Sequence, residues 1–306
     1  MGVKKGVVAV IACVVLVSAA QGSTRAFEVV AKIDVGTAPC SVAMAAGSAW
    51  ATVFNDNQVV RIDPASNRIV ARIPVNAQPC GIAAGAGALW LMTYSSRTVQ
   101  RIDPASETVT ATIPVGNQPY DVAYGFGSVW VTNYGDGTVF RIDPANNRIV
   151  ARIRTRGAPG GLAFSRSAVW VGDAAGSTII RINPRSNRVA RRVRVGPSPV
   201  WLAAKGYSIF ASVQGTRSVA RVDERKNRRV RLIRGTGNQP VDAGIVAGQL
   251  WVPNLRSNSI TRIDLRRNRV VETIRVGPGP FVVPDDPAEL WVASFAGSDI
   301  WRIRPR

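Results

Sequence analysis

A tryptophan recurs along this chain at a fixed interval: Trp50, Trp90, Trp130, Trp170, Phe210 in the same place, Trp251 and Trp291. The intervals are 40, 40, 40, 40, 41 and 40 residues. Arg61, Arg101, Arg141, Arg181, Arg221, Arg262 and Arg302 keep the same beat, as do Pro39, Pro79, Pro119, Pro159, Pro199, Pro240 and Pro280. Three independent markers in seven copies define an array of supersecondary units, and a period near 40 outranks any local reading. The one extra residue falls between Asn227 and Pro240.

Each repeat reads as four short strands. In the third, residues 119–126 (PYDVAYGF) are entered through a proline and followed by Ser128–Asn133 (SVWVTN). A Tyr-Gly-Asp-Gly turn leads to Thr138–Ile142. Asp143-Pro144-Ala145-Asn146-Asn147 then turns the chain, with Pro fixing φ and Asp and Asn bonding the local backbone. Arg148–Arg154 (RIVARIR) alternates apolar and polar, as a half-exposed strand does. Four strands per repeat, seven times, predict an all-β, seven-bladed β-propeller over residues 27–306. The last repeat stops before a fourth strand, and Glu28–Val35 is a fourth strand with no preceding three. Pairing the two closes the ring and removes free edges. The repeated Trp is read as packing between blades rather than as a ring of sugar-stacking platforms.

The repeat resembles a known family. Gly127-Ser128-Val129-Trp130-Val131-Thr132-Asn133, then Gly137-Thr138-Val139 and Arg141-Ile142-Asp143-Pro144, is similar to the YVTN-type propeller repeat. That repeat occurs in YncE-like exported proteins, surface-layer proteins and virginiamycin B lyase-like propellers. The resemblance implies the fold over the mature chain, while members bind, scaffold or catalyse. Its lyase branch implies a histidine general base and a magnesium ion. This chain of 306 residues contains no histidine, so that base has no counterpart, and no cofactor or metal is expected. The same absence removes Ser-His-Asp and Cys-His catalysis. Three cysteines, Cys13, Cys40 and Cys80, are too few for a four-cysteine site.

Residues 1–26 read as a secretory signal. Lys4 and Lys5 precede an apolar run from Gly6 to Val17, then Ser18, Ala19 and Ala20, the charged, apolar and small-residue order of export. Cleavage is expected after Ala20 or Ala26, an uncleaved anchor being the alternative. The mature protein is expected in the periplasm or outside the cell, as a monomer without a membrane span.

Ligands of propellers usually approach the face that carries the loops entering the innermost strands. Directly after the repeated prolines stand Cys40, Cys80, Tyr120 and Phe281, and one residue further Asp121, Trp201 and Asp242. Tyr120, Asp121, Trp201, Asp242 and Phe281 are the candidate ligand residues at the channel mouth, the aromatics forming either a stacking site or a plug. The two carboxylates are three blades apart in seven, facing each other across the channel. They read either as a catalytic pair or as acceptors for loop amides. Cys40 and Cys80 occupy equivalent places in neighbouring blades, so an exported protein could bridge them. Two buried thiols are the alternative.

Charge is distributed unevenly. Residues 141–280 hold 27 Lys and Arg against 7 Asp and Glu, whereas residues 27–140 hold 6 against 8. The excess sits largely on the third turn and fourth strand of blades three to six, among them Arg188, Arg192, Arg194, Arg228, Arg229, Arg231, Arg267 and Arg269. Edge protection accounts for charge on an outer strand, but not for its confinement to one part of the ring. An anionic envelope polymer or an acidic protein is the expected partner, since Arg suits bidentate carboxylate and phosphate contacts. Nucleic acid is disfavoured by export and by the lack of aromatics interleaved with the arginines. The expected function is a binding or interaction module, with a lyase or hydrolase at the channel mouth as the alternative.

Overall fold

The computed structural model describes residues 27–284 and 288–305. The expected signal, residues 1–26, lies outside them. Seven antiparallel sheets form the ring, six of them four-stranded in chain order from the channel outward. Blade one runs Pro39–Ala45, Ser48–Val53, Gln58–Asp63 and Arg68–Pro74, and each later blade repeats the plan. In the last sheet the N-terminal strand Phe27–Asp34 pairs antiparallel with Asp299–Pro305, in register from Phe27 opposite Pro305 to Asp34 opposite Asp299. The first and last strands of the chain thus share one blade, and the ring is closed by hydrogen bonds.

The seventh blade departs from the plan on its channel side. Phe281–Pro284 form no regular strand; Phe281 N–H to Ala293 O (2.9 Å), Ala293 N–H to Val282 O (3.4 Å) and a bridge at Pro280 tie them to the next strand. Pro278, Pro280 and Pro284 crowd this segment, and each removes a backbone donor. The residue that breaks the 40-residue beat lies in the linker between Arg234 and Pro240, where Gly235 adopts φ +97°.

In blade three the second strand is buried along its whole length, whereas the fourth strand alternates between exposed and half-buried positions before a buried Ile153. The repeated tryptophans are at most 1% exposed and Phe210 2%. Trp50 packs among Val59, Leu89, Leu91 and Ile102 of its own and the following blade, so the apolar layers lie between blades. In four blades the indole N–H donates to the end of the first strand: Trp50 to Ala45 O, Trp90 to Gly85 O, Trp130 to Gly125 O and Trp251 to Val246 O, at 2.9–3.2 Å. A buried Trp with its donor satisfied is a packing residue; truncating one to Ala costs about 3–5 kcal/mol.

Directly opposite each Trp on the third strand stands the repeated Arg, its guanidinium 5.1–5.9 Å from the ring centroid in every blade. The far end of that Arg reaches the third turn of the next blade. Arg101 donates to Pro144 O and Asn147 Oδ1, and Arg141 to Pro184 O and Asn187 Oδ1. Arg181 donates to Asn227 Oδ1, Arg221 to Asn268 Oδ1, and Arg302 to Asn67 Oδ1. Those Asn residues sit in the left-handed region at φ +47° to +59°, which Asn tolerates best. Where Glu107 replaces Asn, Arg61 pairs with it at 2.6 Å. Arg262 faces the junction of the termini, where no such turn follows, and pairs with Glu272 of its own blade at 2.8 Å.

Candidate functional site

A bulge places the residues of the channel mouth. The ladder between first and second strands slips after the repeated proline, for instance between Pro39 and Val42 in blade one and between Pro199 and Leu202 in blade five. The intervening residues leave the ladder and face the bore or its mouth. Donors around the slip find side-chain partners: Ser41 N–H donates to Thr52 Oγ1 and Asp121 N–H, which stands opposite Thr132, to Thr132 Oγ1, both at 3.0 Å. Wherever a blade carries Cys, Tyr, Trp or Asp after that proline, the side chain therefore ends at the channel.

Tyr120, Trp201 and Phe281 come together. Tyr120 and Trp201 have centroids 5.3 Å apart, and Trp201 and Phe281 5.8 Å. Tyr134 extends the row at one end, Phe295 and Phe54 at the other. Phe295 and Phe54 belong to loops between second and third strands. Their contribution was not visible from the residues after the repeated prolines, although loops on the same face were the place to look. Burial pushes the Tyr120 hydroxyl up to about 12, with the nearby Asp121 charge adding to the shift, so it is a neutral phenol at any physiological pH. Beneath the row, Cys40 and Cys80 are joined as a disulfide between blades one and two, their Cα atoms 5.0 Å apart.

Asp121 and Asp242 line a central cavity of about 460 Å³ but hold backbone. Asp121 accepts N–H bonds from Leu162 of the next blade and from Val122, both at 2.8 Å. Asp242 accepts the Val283 N–H of blade seven, also at 2.8 Å. Each carboxylate therefore tethers an irregular first strand, one containing Gly160-Gly161 and the other following Pro280. Asp121 is half-buried by surface area, its exposed part lining the bore. Enclosure by protein pushes its carboxyl up to about 7 despite the two amide bonds, which pull it down.

The turn residues of this face act within the backbone. Asp56 accepts Thr37 N–H, Asp136 accepts Asn117 N–H and Asp173 accepts Ala158 N–H, each securing the linker that enters a first strand. Among the described residues, no group of three His, Cys, Asp or Glu side chains could hold a metal ion, and no helix is long and apolar enough to cross a membrane.

The arginine rim divides into two populations. Arg188, Arg194, Arg228, Arg231 and Arg269 are exposed on the outermost strands of blades four, five and six. Two others are engaged by the fold: Arg192 lies 3.7 Å from Asp173, and Arg229 donates to Val195 O at 2.7 Å. Arg267 pairs with Asp264 at 3.3 Å in its own turn, an exposed pair worth little. The guanidiniums of Arg166 and Arg225 lie 5.4 Å and 5.1 Å from the Tyr207 centroid, and Arg152 lies 5.3 Å from that of Phe140. The residues come from different strands and turns, so linear order hid the pairing.

Comparison with known proteins agrees with this architecture. Virginiamycin B lyase from Staphylococcus aureus superposes with a TM-score of 0.79 at 16% identity, covering 91% of this chain and 99% of that one. A streptogramin B lyase gives 0.79 at 15% identity, with 92% and 98% covered. Hydrazine synthase of Kuenenia stuttgartiensis gives 0.77 at 15% identity, with 88% and 96% covered. At these identities the likeness is one of fold. No curated protein matches the sequence. The family model of the YncE-like β-propeller matches residues 75–249, more than half of the chain and the stretch that holds blades two to five. With its seven blades, its repeated Trp and Arg and its terminal closure, the chain belongs to the YncE-like β-propeller family.

Proposed function

We propose that this propeller is an exported interaction module that docks an anionic envelope polymer or an acidic protein through the outer strands of blades three to six. One observation carries the reading. The fourth strand of blade five, Arg228–Arg234, bears four arginines, whereas its counterpart in blade two, Thr108–Pro114, bears no charge. A need to protect strand edges applies equally to both, so it does not account for the difference. Successive outer strands from blade three to blade six lie beside one another, and their exposed guanidiniums make one continuous field. Such a field steers an anionic partner and holds it with bidentate contacts. The engagement of Asp121 and Asp242 by backbone amides favours this reading over a hydrolase or lyase in the bore. The residue order of 1–26 and the disulfide between Cys40 and Cys80 both fit an exported, oxidising setting.

The test is binding of residues 27–306 to immobilised polyglutamate and polyphosphate at low and high salt. Binding should fall steeply with salt, because screening acts within about 8–10 Å at physiological ionic strength. Reversal of Arg188, Arg194, Arg228 and Arg231 to Glu should abolish it. Thr108→Glu with Thr110→Glu in blade two should leave most of it. Salt-independent binding, or equal loss from both sets, would leave the rim with edge protection alone.

A further inference from the structure

The aromatic row at the channel mouth is separate from the rim and plays no part in the docking proposed above. Its six rings, Tyr134, Tyr120, Trp201, Phe281, Phe295 and Phe54, follow one another with centroids 5.2–5.8 Å apart. Five of them, all but Tyr134, wall a cavity of about 160 Å³ together with Met92, Tyr94, Pro119 and the Cys40–Cys80 bridge. The row is therefore a wall with room beside it rather than a plug. No Lys, Arg, Asp or Glu lines the cavity. Its volume is about that of a one-ring compound, the size that an enclosed apolar cavity of about 150 Å³ takes up as benzene, although this cavity is open to solvent.

The wall's polar groups are the Tyr94 and Tyr120 hydroxyls and the Trp201 indole N–H, and the last is buried without a hydrogen-bond partner. Trp201 is 6% exposed, and its Nε1 has no hydrogen-bond partner. Trp50, Trp90, Trp130 and Trp251 all donate to carbonyls, so the orphan is specific to the mouth. Its polar neighbour is the Tyr120 hydroxyl, which shares the cavity and interacts with the indole N–H without reaching hydrogen-bond geometry. Room for the indole comes from Gly161, where a Cβ would meet Trp201 Cε3 at 2.6 Å. A buried N–H without a partner costs about 1–3 kcal/mol, and an acceptor delivered by a ligand would remove that cost. An ionised ligand would gain no counter-charge here and would lose its hydration.

We infer that this cavity binds a neutral, single-ring aromatic compound carrying one hydrogen-bond acceptor, its ring among the aromatic walls and its acceptor on Trp201 Nε1. Acetophenone, toluene and benzoate serve as probes: ring with acceptor, ring without, and ring with charge. They are titrated into the ¹⁵N-labelled protein, residues 27–306, while the indole N–H signals are followed. Acetophenone should shift the Trp201 signal saturably and leave those of Trp50, Trp90, Trp130 and Trp251 in place. Toluene should bind roughly 3- to 10-fold more weakly, the worth of one hydrogen bond, and benzoate should not saturate. Trp201→Phe should make acetophenone and toluene bind alike, and Phe281→Ala should weaken both. Reversal of the rim arginines should change none of this, which separates the two sites. Absence of a saturable Trp201 shift in the unaltered protein overturns the inference. So does equal affinity for acetophenone and toluene, or benzoate binding as tightly as acetophenone.

Discussion

Blade two and blade five are built on one plan and present different surfaces. Trp90 and Phe210 fill the same space, and Arg101 and Arg221 lie over them and grip the next blade through Asn147 and Asn268. Both third turns open with an Asp that accepts the N–H two residues on, Asp103 from Ala105 and Asp223 from Arg225. The outer strands then diverge, TVTATIP against RRVRLIR. The same residue type serves two ends. An Arg on a third strand is half-buried, stacked and bonded to a neighbouring blade, while an Arg on a fourth strand is mostly solvated. The clasp is part of the scaffold and recurs in every blade but the sixth, where Arg262 pairs within its own blade, whereas the rim is laid over the scaffold in one arc.

The comparison can be broken most severely at the closure both blades depend on. Deleting residues 27–36 strips the last blade of its outer strand, and both arcs should lose cooperative unfolding, with aggregation through the exposed edge. A truncated monomer with an unchanged melting temperature would mean that the terminal strand is not what holds the ring.

The next largest difference should lie between the blades. Blade two is tied to blade one by Cys40–Cys80, and blade five has no such tie. Replacing both cysteines by Ala should lower stability by about 2–4 kcal/mol in the chain-entropy account. Free thiols in the unreduced protein, found by mass spectrometry, would remove the tie and the expected loss together.

Asp121, one blade beyond blade two, should tilt stability with pH. Its carboxyl titrates at about 7 in the folded protein against an ordinary 3.8. Below about pH 4 it is neutral in both states. Between about 4 and 7 the folded state keeps a proton that the unfolded state has released, so stability falls as pH rises, and the penalty levels off above about 7. Asp121→Asn should flatten this decline in urea melts collected across that range. A slope unchanged by the substitution would place the decline elsewhere.

The smallest effects separate clasp from rim. Arg101→Ala and Arg221→Ala should each cost about 1–2 kcal/mol, from the lost ring contact and the lost bonds to the next blade. Arg231→Thr should stay within about 0.5 kcal/mol. If Arg231 proved as costly as Arg101, the division into scaffold and surface arginines would fail.

Much of this was legible before any coordinates. The repeat length, the number of blades, the Trp layer and the closure follow from periodicity, because each blade must bury its faces against neighbours of the same kind. The Arg beat was equally visible but mute: its partner lies 46 residues on, at Asn147 for Arg101 and at Asn187 for Arg141, and only the ring's curvature makes those positions meet. In the same way, the rim list held eight arginines of apparently equal standing, yet Arg192 and Arg229 are engaged by Asp173 and Val195. Chain order does not reveal which outer side chains fold back.

By itself, the sequence determined the architecture and the sidedness of the charge, since strand patterning and net charge per repeat are local sums that survive any detail of packing. Tertiary structure decided the channel mouth. The bulge after the repeated proline of the first five blades turns residues from separate blades toward one point. There Asp121 meets a backbone amide of the next blade, Cys40 meets Cys80, and Trp201 is left with an unpartnered N–H among aromatic rings. Those outcomes depend on distances of a few ångströms between blades, and a repeat period carries no information at that scale.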